Sequence, residues 1–455
     1  MDAQFDLVII GAGPGGYEAA LEASRLGMKT AIVEKDSLGG TCLNRGCIPT
    51  KTMLHAAEAY SAAKTSSRFG VACESVKADY PAIYAYRRST IETLRKGIAT
   101  LLKSAKVTIY RGTAKLLPNN VTEIANDDGT TTITSEKILI ATGSVPAVPP
   151  IPGADLPGVM TSDGLLAHEG EPFTSLTIIG GGVIGVEFAS VYSALGTKVT
   201  IVEALPSLIA NMDKELGQSL KMSLKKKGVD IHTDAKVTGL SKNDDGIECA
   251  FTEKGKELAV TSDAVLIATG RRPNTAGLFS DGCRPDMERG RITVDARYAT
   301  SVKGVYAIGD VSGKIQLAHA ATAQGISAVR MMAGKEAGSA AQLIPACIYT
   351  SPEIASVGMT LDEAKNAGFD AKSRKVLSSA NGKSVISQSE RGFVKIVYDA
   401  QSKKLLGCQM MCDRATDMIS EIALALSQGM TLAQVENVCR PHPTFSEMLT
   451  EAARI

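Results

Sequence analysis

Two cysteines stand close together near the N-terminus of the chain. Cys42 and Cys47 lie in the run GGTCLNRGCIPTK, which extends from Gly39 to Lys51. A thiol pair with this spacing can form and break a disulfide, and so can take up and release two electrons. The pair follows shortly after a glycine-rich segment that is typical of dinucleotide binding. Its position therefore predicts electron transfer between a bound cofactor and a disulfide.

The glycine-rich segment has the order of a dinucleotide-binding fingerprint. An apolar run, FDLVII, predicts a buried strand at 5–10, and an apolar-periodic stretch at 17–26 predicts a helix. Between them, three glycines have the GxGxxG spacing. In this motif Gly11 makes the tight turn, Gly13 lets the backbone approach a pyrophosphate, and Gly16 lets the helix pack closely on the strand.

The rest of the unit supports the same interpretation. Backbone N–H groups at a helix N-terminus bind phosphate oxygens. A second predicted strand ends at Glu34, where a carboxylate can accept hydrogen bonds from ribose hydroxyls. A lone GxGxxG also occurs in ordinary glycine-rich turns, but the order strand, helix, strand and terminal acid favours dinucleotide binding.

A second unit repeats the first at a constant offset of 169 positions. The residues that repeat are Gly11, Gly13, Gly16, Gly27 and Glu34, which correspond to Gly180, Gly182, Gly185, Gly196 and Glu203. An internal duplication of this kind predicts two dinucleotide-binding domains. Two dinucleotides and a thiol pair imply a relay from nicotinamide to flavin to disulfide.

Composition argues against several other classes of function. The net charge of +1 gives no electrostatic basis for binding nucleic acid or an anionic membrane. No apolar run approaches the ~20 residues of a membrane helix, and no signal peptide is recognisable before the first strand. Nine cysteines in 455 residues do not form a disulfide scaffold. We therefore expect a cytoplasmic setting, in which a disulfide is more often catalytic than structural.

The pattern changes after residue 343. Short strands and two helices follow without a dinucleotide motif, which predicts an α+β domain. Cys408 and Cys412 lie in this part and are interpreted as small core residues, because no second ligand pair accompanies them. The expected fold class is α/β, with two Rossmann-like dinucleotide-binding domains and a C-terminal α+β domain.

Together these motifs resemble those of the flavoprotein pyridine nucleotide-disulfide oxidoreductases, and most closely those of the dihydrolipoamide dehydrogenases. The resemblance covers the whole chain and is carried by GGTCLNRGCIPTK, GGGVIGVEF, ATGRRPN, AIGD, LAHAA, YTSPEIASVGMT and HPTFSE. It implies an FAD-binding domain at 1–145 and an NAD-binding domain at 146–272. It further implies a central domain that completes the FAD site at 273–343 and a dimerisation domain at 344–455.

The resemblance also implies roles for individual residues. Cys47 corresponds to the thiol nearest the flavin, and Cys42 to the interchange thiol that meets the substrate. A helix is predicted to begin just after Cys42, which would favour a reactive thiolate there. Lys51 is expected beside the flavin, paired with Glu187 of the second unit. The implied cofactor contacts are Gly11, Gly13, Gly16, Glu34, Lys51, Gly143, Asp310 and Ala318 for FAD, and Gly180, Gly182, Gly185, Glu187, Glu203 and Gly270 for NAD.

His442 and Glu447 lie in the motif HPTFSE. Oxidation of a dithiol needs a base, and a histidine oriented by a carboxylate suits that task. In the family this pair serves the disulfide of the opposite subunit, so the resemblance implies a homodimer. It also implies a cis peptide bond between His442 and Pro443. No metal is implied.

Several positions depart from the usual family pattern. Arg45 lies between the two cysteines, Gln324 stands where an acid is common, and Arg440 precedes the HPTFSE motif. None of these changes removes a reacting group. Together they leave open a different disulfide substrate or an altered partner surface.

The leading hypothesis is FAD-dependent oxidation of protein-bound dihydrolipoyl groups with reduction of NAD. Glu203 favours NAD over NADP, because it would accept from a ribose 2′-hydroxyl and repel a 2′-phosphate. The partner would then be a lipoyl-bearing protein of a 2-oxoacid dehydrogenase or glycine cleavage type complex. The alternatives are an NADH-dependent reductase of another small disulfide and a structural subunit with an idle redox site. The intact set of reacting residues argues against the structural subunit.

Overall fold

The computed structural model describes residues 3–313, 315–338 and 341–454. The first part of the chain alternates strands with helices and then turns into a β-meander. Its elements are β1 (Ala3–Ile10), α1 (Pro14–Arg25), β2 (Thr30–Glu34), α2 (Gly40–Arg45), α3 (Cys47–Lys64), α4 (Tyr80–Ser104), β3 (Thr108–Arg111), β4 (Thr113–Leu117), β5 (Val121–Asn126), β6 (Gly129–Ile140) and β7 (Ser144–Pro146).

The middle part repeats this alternation and inserts a small antiparallel sheet. Its elements are β8 (Val159–Thr161), α5 (Ser162–Ala167), β9 (Ser175–Ile179), α6 (Val183–Ala194), β10 (Lys198–Val202), α7 (Lys214–Lys226), β11 (Asp230–His232), β12 (Ala235–Asn243), β13 (Gly246–Glu253), β14 (Lys256–Ser262), β15 (Ala264–Ile267) and β16 (Arg271–Pro273).

The last part begins with short strands and ends as a sheet covered by helices. Its elements are β17 (Met287–Glu288), β18 (Arg291–Ile292), β19 (Val305–Ala307), α8 (Ala318–Met332), β20 (Ala346–Ile348), β21 (Glu353–Gly358), α9 (Leu361–Asn366), β22 (Ala371–Leu377), α10 (Gly382–Ile386), β23 (Phe393–Asp399), β24 (Leu405–Cys412), α11 (Ala415–Ser427), α12 (Leu432–Glu436) and α13 (Glu447–Ala453). Short 3₁₀ helices occur at Ser66–Phe69, Gly309–Val311 and Ser378–Ala380.

Three large sheets organise these elements. The first has the order β3-β2-β1-β6-β5-β4, with β19 also paired to β6. The second, β11-β10-β9-β15-β8, is parallel throughout. The third, β20-β21-β24-β23-β22, is antiparallel. This arrangement confirms the expected α/β class with a C-terminal α+β part.

The two units make the same turn between their first strand and first helix. Gly11 has φ 102° and Gly180 has φ 112°, a left-handed backbone that strongly favours glycine. A Cβ built on Gly16 would overlap the carbonyl oxygen of Gly11, and one on Gly185 would overlap that of Gly180. Glycine at these positions lets each helix lie against its own strand.

Helices α3 and α6 pack against each other. The core that joins them contains Met53 of α3 together with Phe188 and Tyr192 of α6. Ile348 of β20 and Phe393 of β23 belong to the same core. Elements of the second and third sheets therefore meet these two helices, and α3 carries one of the redox cysteines at its first position.

A glycine substitution tests the helix–strand packing of the second unit. We expect Gly185→Ala to lower the free energy of unfolding by about 1–3 kcal/mol, because the methyl group must displace the backbone of Gly180. Gly97→Ala is the matched control, since Gly97 lies within α4 and a Cβ added there would have no atom within 4 Å. That change should leave the melting temperature unchanged or raise it. Equal effects of the two changes would contradict this account.

Candidate redox site

A single cavity of about 2020 Å³ joins both glycine turns and the cysteine pair. Binding pockets are commonly ~300–1,000 Å³, so this one has room for more than one ligand of ordinary size. Most of the sequence-predicted site residues line it, namely Gly11, Gly13, Glu34, Cys42, Cys47, Lys51, Gly143, Gly180, Gly182, Glu187, Glu203, Gly270, Asp310 and Ala318. Gly16, Gly185, His442 and Glu447 are not among the lining residues.

Cys42 and Cys47 form a disulfide whose Cα atoms are 4.7 Å apart. A helix does begin in the segment after Cys42, but it is α3, which begins at Cys47; Cys42 itself lies within α2, which begins at Gly40 and ends before Gly46. A Cβ on Gly46 would lie 2.9 Å from the carbonyl oxygen of Thr41, so a larger residue would crowd this tight corner. Cys47 is the first residue of the 18-residue helix α3, whose N-terminal dipole favours a thiolate.

The side chain of Asn44 in α2 holds the backbone at the start of that helix, a contact that sequence analysis missed. The side-chain N–H₂ of Asn44 donates to the carbonyl oxygens of Leu38 at 3.0 Å and Gly40 at 2.8 Å. Arg95 of α4 donates to the Asn44 side-chain oxygen at 2.7 Å. The sequence signal was an amide side chain inside the redox motif, whereas its partner Arg95 is 51 residues away.

Lys51 and Glu187 form the expected ion pair. Lys51 Nζ donates to the two carboxylate oxygens at 2.9 and 2.8 Å. The Glu187 side chain is only 4% exposed, and it also accepts from the backbone N–H of Tyr349 at 3.0 Å. The Tyr349 ring lies 4.6 Å from the Lys51 ammonium, within the range of a cation–π contact. Tyr349, which begins the motif YTSPEIASVGMT but received no role in the sequence analysis, thus contacts both charges.

Glu34 is the last residue of β2, and Glu203 directly follows β10. The two carboxylates accept hydrogen bonds from backbone N–H groups at equivalent positions of their units. Glu34 accepts from the backbone N–H of Ala12 at 2.8 Å and of Asp36 at 2.9 Å. Glu203 accepts from the N–H groups at the matching positions of the second unit, at 2.5 and 2.6 Å. Burial raises the pKa of Glu34, and the backbone N–H groups of Ala12 and Lys35 oppose that rise. Each carboxylate is thereby fixed at the wall of the cavity.

Asp310 lies in a small hydrogen-bonded network at the cavity wall. It accepts from the hydroxyl of Ser144 at 2.5 Å, and that hydroxyl accepts in turn from Arg271 Nε at 2.8 Å. The side-chain oxygen of Gln324 accepts from the N–H of Gly309 at 2.8 Å. A carboxylate could accept the same bond, so the departure at Gln324 preserves the support of this turn.

Arg45 is paired with the carboxylate of Asp36. Asp36 also donates its backbone N–H to Glu34, so the guanidinium lies near the first nucleotide turn. The positive charge helps to lower the pKa of Glu34 against the effect of burial. The departure at Arg45 therefore has an acidic partner within the chain.

His442 and Glu447 lie together outside the cavity. His442 Nδ1 is 2.8 Å from Glu447 Oε1, and the backbone N–H of Thr444 donates to the other carboxylate oxygen at 2.8 Å. The N–H of Thr444, followed by the imidazole, lowers the pKa of Glu447. The His442 side chain is 78% exposed, and its bond to Pro443 is cis as predicted. Because an ionised carboxylate only accepts, Nδ1 carries the proton and Nε2 is left as the basic nitrogen.

Comparison with protein families assigns both parts of the chain. Residues 5–325 match the model described as pyridine nucleotide-disulphide oxidoreductase, and residues 344–453 match the dimerisation domain of the same group. The chain belongs to the pyridine nucleotide-disulphide oxidoreductase family. Its members are homodimeric oxidoreductases that use FAD and NAD(H). In the described ranges, none of the helices is both long and apolar enough to cross a membrane.

Relatives of the chain match it over nearly its whole length. The dihydrolipoyl dehydrogenase of Bacillus subtilis is 38% identical, with 100% of this chain and 98% of the relative covered. The dihydrolipoyl dehydrogenase of Chlorobaculum tepidum is 39% identical, with 99% and 97% covered. Both similarities include the redox segment and the C-terminal part.

Solved structures show the same fold. The HOCl-induced flavoprotein disulfide reductase RclA from Escherichia coli, seen as a Cu(II) complex, superposes with a TM-score of 0.87 at 29% identity and covers 100% of this chain and 99% of its own. LpdA from Mycobacterium tuberculosis superposes with a TM-score of 0.90 at 25% identity, with 99% of each chain covered.

The residues at the cavity fit two dinucleotides. A Cβ on Gly182 would meet no atom within 4 Å, and one on Gly13 would meet only Gly40 at 4.0 Å. The protein therefore leaves open space where a pyrophosphate must approach the backbone. Glu34 and Glu203 offer acceptors for ribose hydroxyls at equivalent places, and Asp310 offers a third acceptor.

Removing the Lys51 ammonium should destabilise the protein, because it leaves the buried Glu187 carboxylate without its cation. We expect Lys51→Met to lower the free energy of unfolding by about 1–3 kcal/mol, because the buried Glu187 carboxylate loses its one charged donor and both hydrogen bonds to it. Denaturant unfolding measures the loss. In the double variant Lys51→Met/Glu187→Met, most of the stability should return, since no unpaired charge remains. A double variant less stable than Lys51→Met would contradict this interpretation.

Proposed function

We propose that this protein oxidises dihydrolipoyl groups carried by another protein and transfers the electrons to NAD. One observation supports the proposal above all others. A disulfide that can take up two electrons lies in the same cavity as two dinucleotide-binding turns. FAD, when bound, would supply the two-electron step between the reduced cysteines and nicotinamide.

The chemistry at the cysteines begins with attack on Cys42. A base removes the proton from one substrate thiol, and the thiolate attacks the sulfur of Cys42. The Cys42–Cys47 bond breaks, and Cys47 leaves as a thiolate at the N-terminus of α3. The second substrate thiol then displaces Cys42 and completes the cyclic disulfide. The two electrons of the dithiol now reside on the two cysteines.

We assign the proton transfers to His442, with Glu447 holding the imidazole. Since neither residue lines the cavity of its own chain, the pair would act at the disulfide of a second copy. The high exposure of His442 supports such an arrangement, because an exposed imidazole is accessible to the disulfide of a second copy. Glu447 would also stabilise the imidazolium that forms when His442 takes the proton.

The roles of Lys51 and Glu203 complete the proposed site. Lys51 would place its positive charge beside the flavin, held by Glu187 and Tyr349. Glu203 would accept from a ribose 2′-hydroxyl of NAD and repel a 2′-phosphate. No lysine or arginine lies at 204–207 to offset that repulsion.

The substrate assignment draws on the relatives. The two relatives from Bacillus subtilis and Chlorobaculum tepidum, which match nearly the whole chain, are dihydrolipoyl dehydrogenases. This similarity favours a lipoyl-bearing protein of a 2-oxoacid dehydrogenase or glycine cleavage type complex as the partner. We propose the domain limits 1–145 for FAD, 146–272 for NAD, 273–343 for the central domain and 344–455 for dimerisation.

A cysteine substitution tests the proposed chemistry. Cys42→Ser should lower dihydrolipoamide oxidation by a factor of about 1,000 or more, because the substrate thiolate then has no disulfide to attack. Bound flavin and the transfer of electrons from NADH to ferricyanide should remain. Steady-state turnover and the visible spectrum measure both properties on the same sample.

The matched control is Cys73→Ser, which removes an exposed thiol distant in sequence from the disulfide. It should leave dihydrolipoamide oxidation at the level of the unchanged protein. Substantial dihydrolipoamide oxidation by Cys42→Ser would rule out the assigned role of Cys42.

A further inference from the structure

Arg440 lies two positions before His442, and its side chain is buried within its own chain. It is only 4% exposed. A guanidinium is always charged at physiological pH, and burying it is costly unless its donors are bonded. The departure of the sequence at this position is therefore an internal feature of the C-terminal part.

The buried guanidinium connects three helices. One terminal nitrogen donates to the carbonyl oxygen of Val435 in α12 at 3.1 Å and to the hydroxyl of Thr450 in α13 at 2.5 Å. The other pairs with the carboxylate of Glu421 in α11. A weaker contact to the carbonyl oxygen of Val438 is 3.4 Å long. These bonds fix Arg440 relative to α11, α12 and α13.

His442 lies in a turn between Arg440 and helix α13, and the bonds of the guanidinium hold both ends of this turn. It covers residues 441–446 and joins Arg440 to the first residue of α13, which is Glu447. The Arg440–Thr450 bond closes this loop across its base. Asn381 supports the turn from outside through a 3.0 Å bond to the carbonyl oxygen of Thr444.

The imidazole of His442 is held mainly by its contact with Glu447. Its ring is largely exposed, and its bond to Glu447 is the side-chain contact that orients it. The position of Glu447 follows from the position of α13, which Arg440 holds through Thr450. A displacement of about 1 Å in a reacting group can cost about 100-fold in rate.

We propose that Arg440 is a positioning residue for proton transfer by His442. Its guanidinium clamps the HPTFSE turn so that the His442–Glu447 pair meets the disulfide of the second copy in one geometry. This inference rests on the role assigned to His442 above. The other explanation is a purely structural one, in which Arg440 only stabilises the helices that it joins.

The test compares two reactions of the full-length, FAD-loaded protein. One is oxidation of dihydrolipoamide by NAD, which needs the base. The other is transfer from NADH to ferricyanide, which does not. Arg440→Met keeps an unbranched apolar side chain without donors. We expect it to lower kcat for dihydrolipoamide by about 10- to 100-fold, with ferricyanide reduction and the KM for NADH unchanged.

A more conservative substitution tests the same Arg440 contacts if Arg440→Met does not fold. Thr450→Val removes one hydrogen bond to Arg440 with almost no change in shape. Thr450→Val should lower kcat for dihydrolipoamide oxidation by about 2- to 10-fold, in line with one lost hydrogen bond. Arg454→Met is the matched control, because Arg454 pairs with Glu436 and Glu451 at the surface, and it should have no effect on either reaction.

A double-variant comparison separates positioning from stability. If Arg440 acts through His442, Arg440→Met should cause no further loss in a His442→Gln background. Equal losses in both backgrounds, or a parallel loss of ferricyanide reduction, would overturn the inference. If His442→Gln lowers dihydrolipoamide oxidation but Arg440→Met does not, this inference alone fails. If His442→Gln has no effect, the proposed role of His442 fails as well.

Discussion

The ion pair between Lys51 and Glu187 holds together the parts on which the rest of the structure depends. It joins α3, which begins at a redox cysteine, to α6, which begins at the second glycine turn. The Glu187 carboxylate is almost fully buried and is satisfied by Lys51 and by the N–H of Tyr349. A buried carboxylate without these donors would be costly, so the pair restricts how the two helices can pack. The disulfide and both turns consequently face one cavity.

Duplication explains the symmetry of that cavity. Glu34 and Glu203 are held by backbone N–H groups at matching positions, so each unit presents a carboxylate with the same orientation toward its own turn. The two units differ after their second strands. The first unit continues into the segment with Cys42 and Cys47, whereas the second continues into α7 and the small antiparallel sheet. The same binding turn is thus combined with a redox centre in the first unit only.

Much of this arrangement could be predicted, because its signals are local. The glycine spacing depends on close contacts within each turn, and the strand predicted at 5–10 lies within β1, which begins at Ala3. The limits of the redox helices were less accurate, since the break at Gly46 depends on the packing of only a few backbone atoms. Tyr349 and Asn44 contact partners that are 162 and 51 residues away in the sequence. The partners of Arg440 lie on three different helices, and no spacing rule reveals these contacts.

The C-terminal part has a double role in this account. Tyr349 supports the Lys51–Glu187 pair within the chain, while the HPTFSE turn carries His442, the base of the proposed proton transfer at a second copy. Folding and catalysis are then linked, because the same domain that completes the core also places the base.

The most direct test of the central claim is a turnover panel on the purified, FAD-loaded protein. It would pair NAD with dihydrolipoamide, and NADH or NADPH with lipoamide or glutathione disulfide. The account predicts that NAD-linked oxidation of dihydrolipoamide has the highest kcat/KM and that NADPH is a poor donor. A higher kcat/KM for glutathione disulfide, or a preference for NADPH, would contradict it.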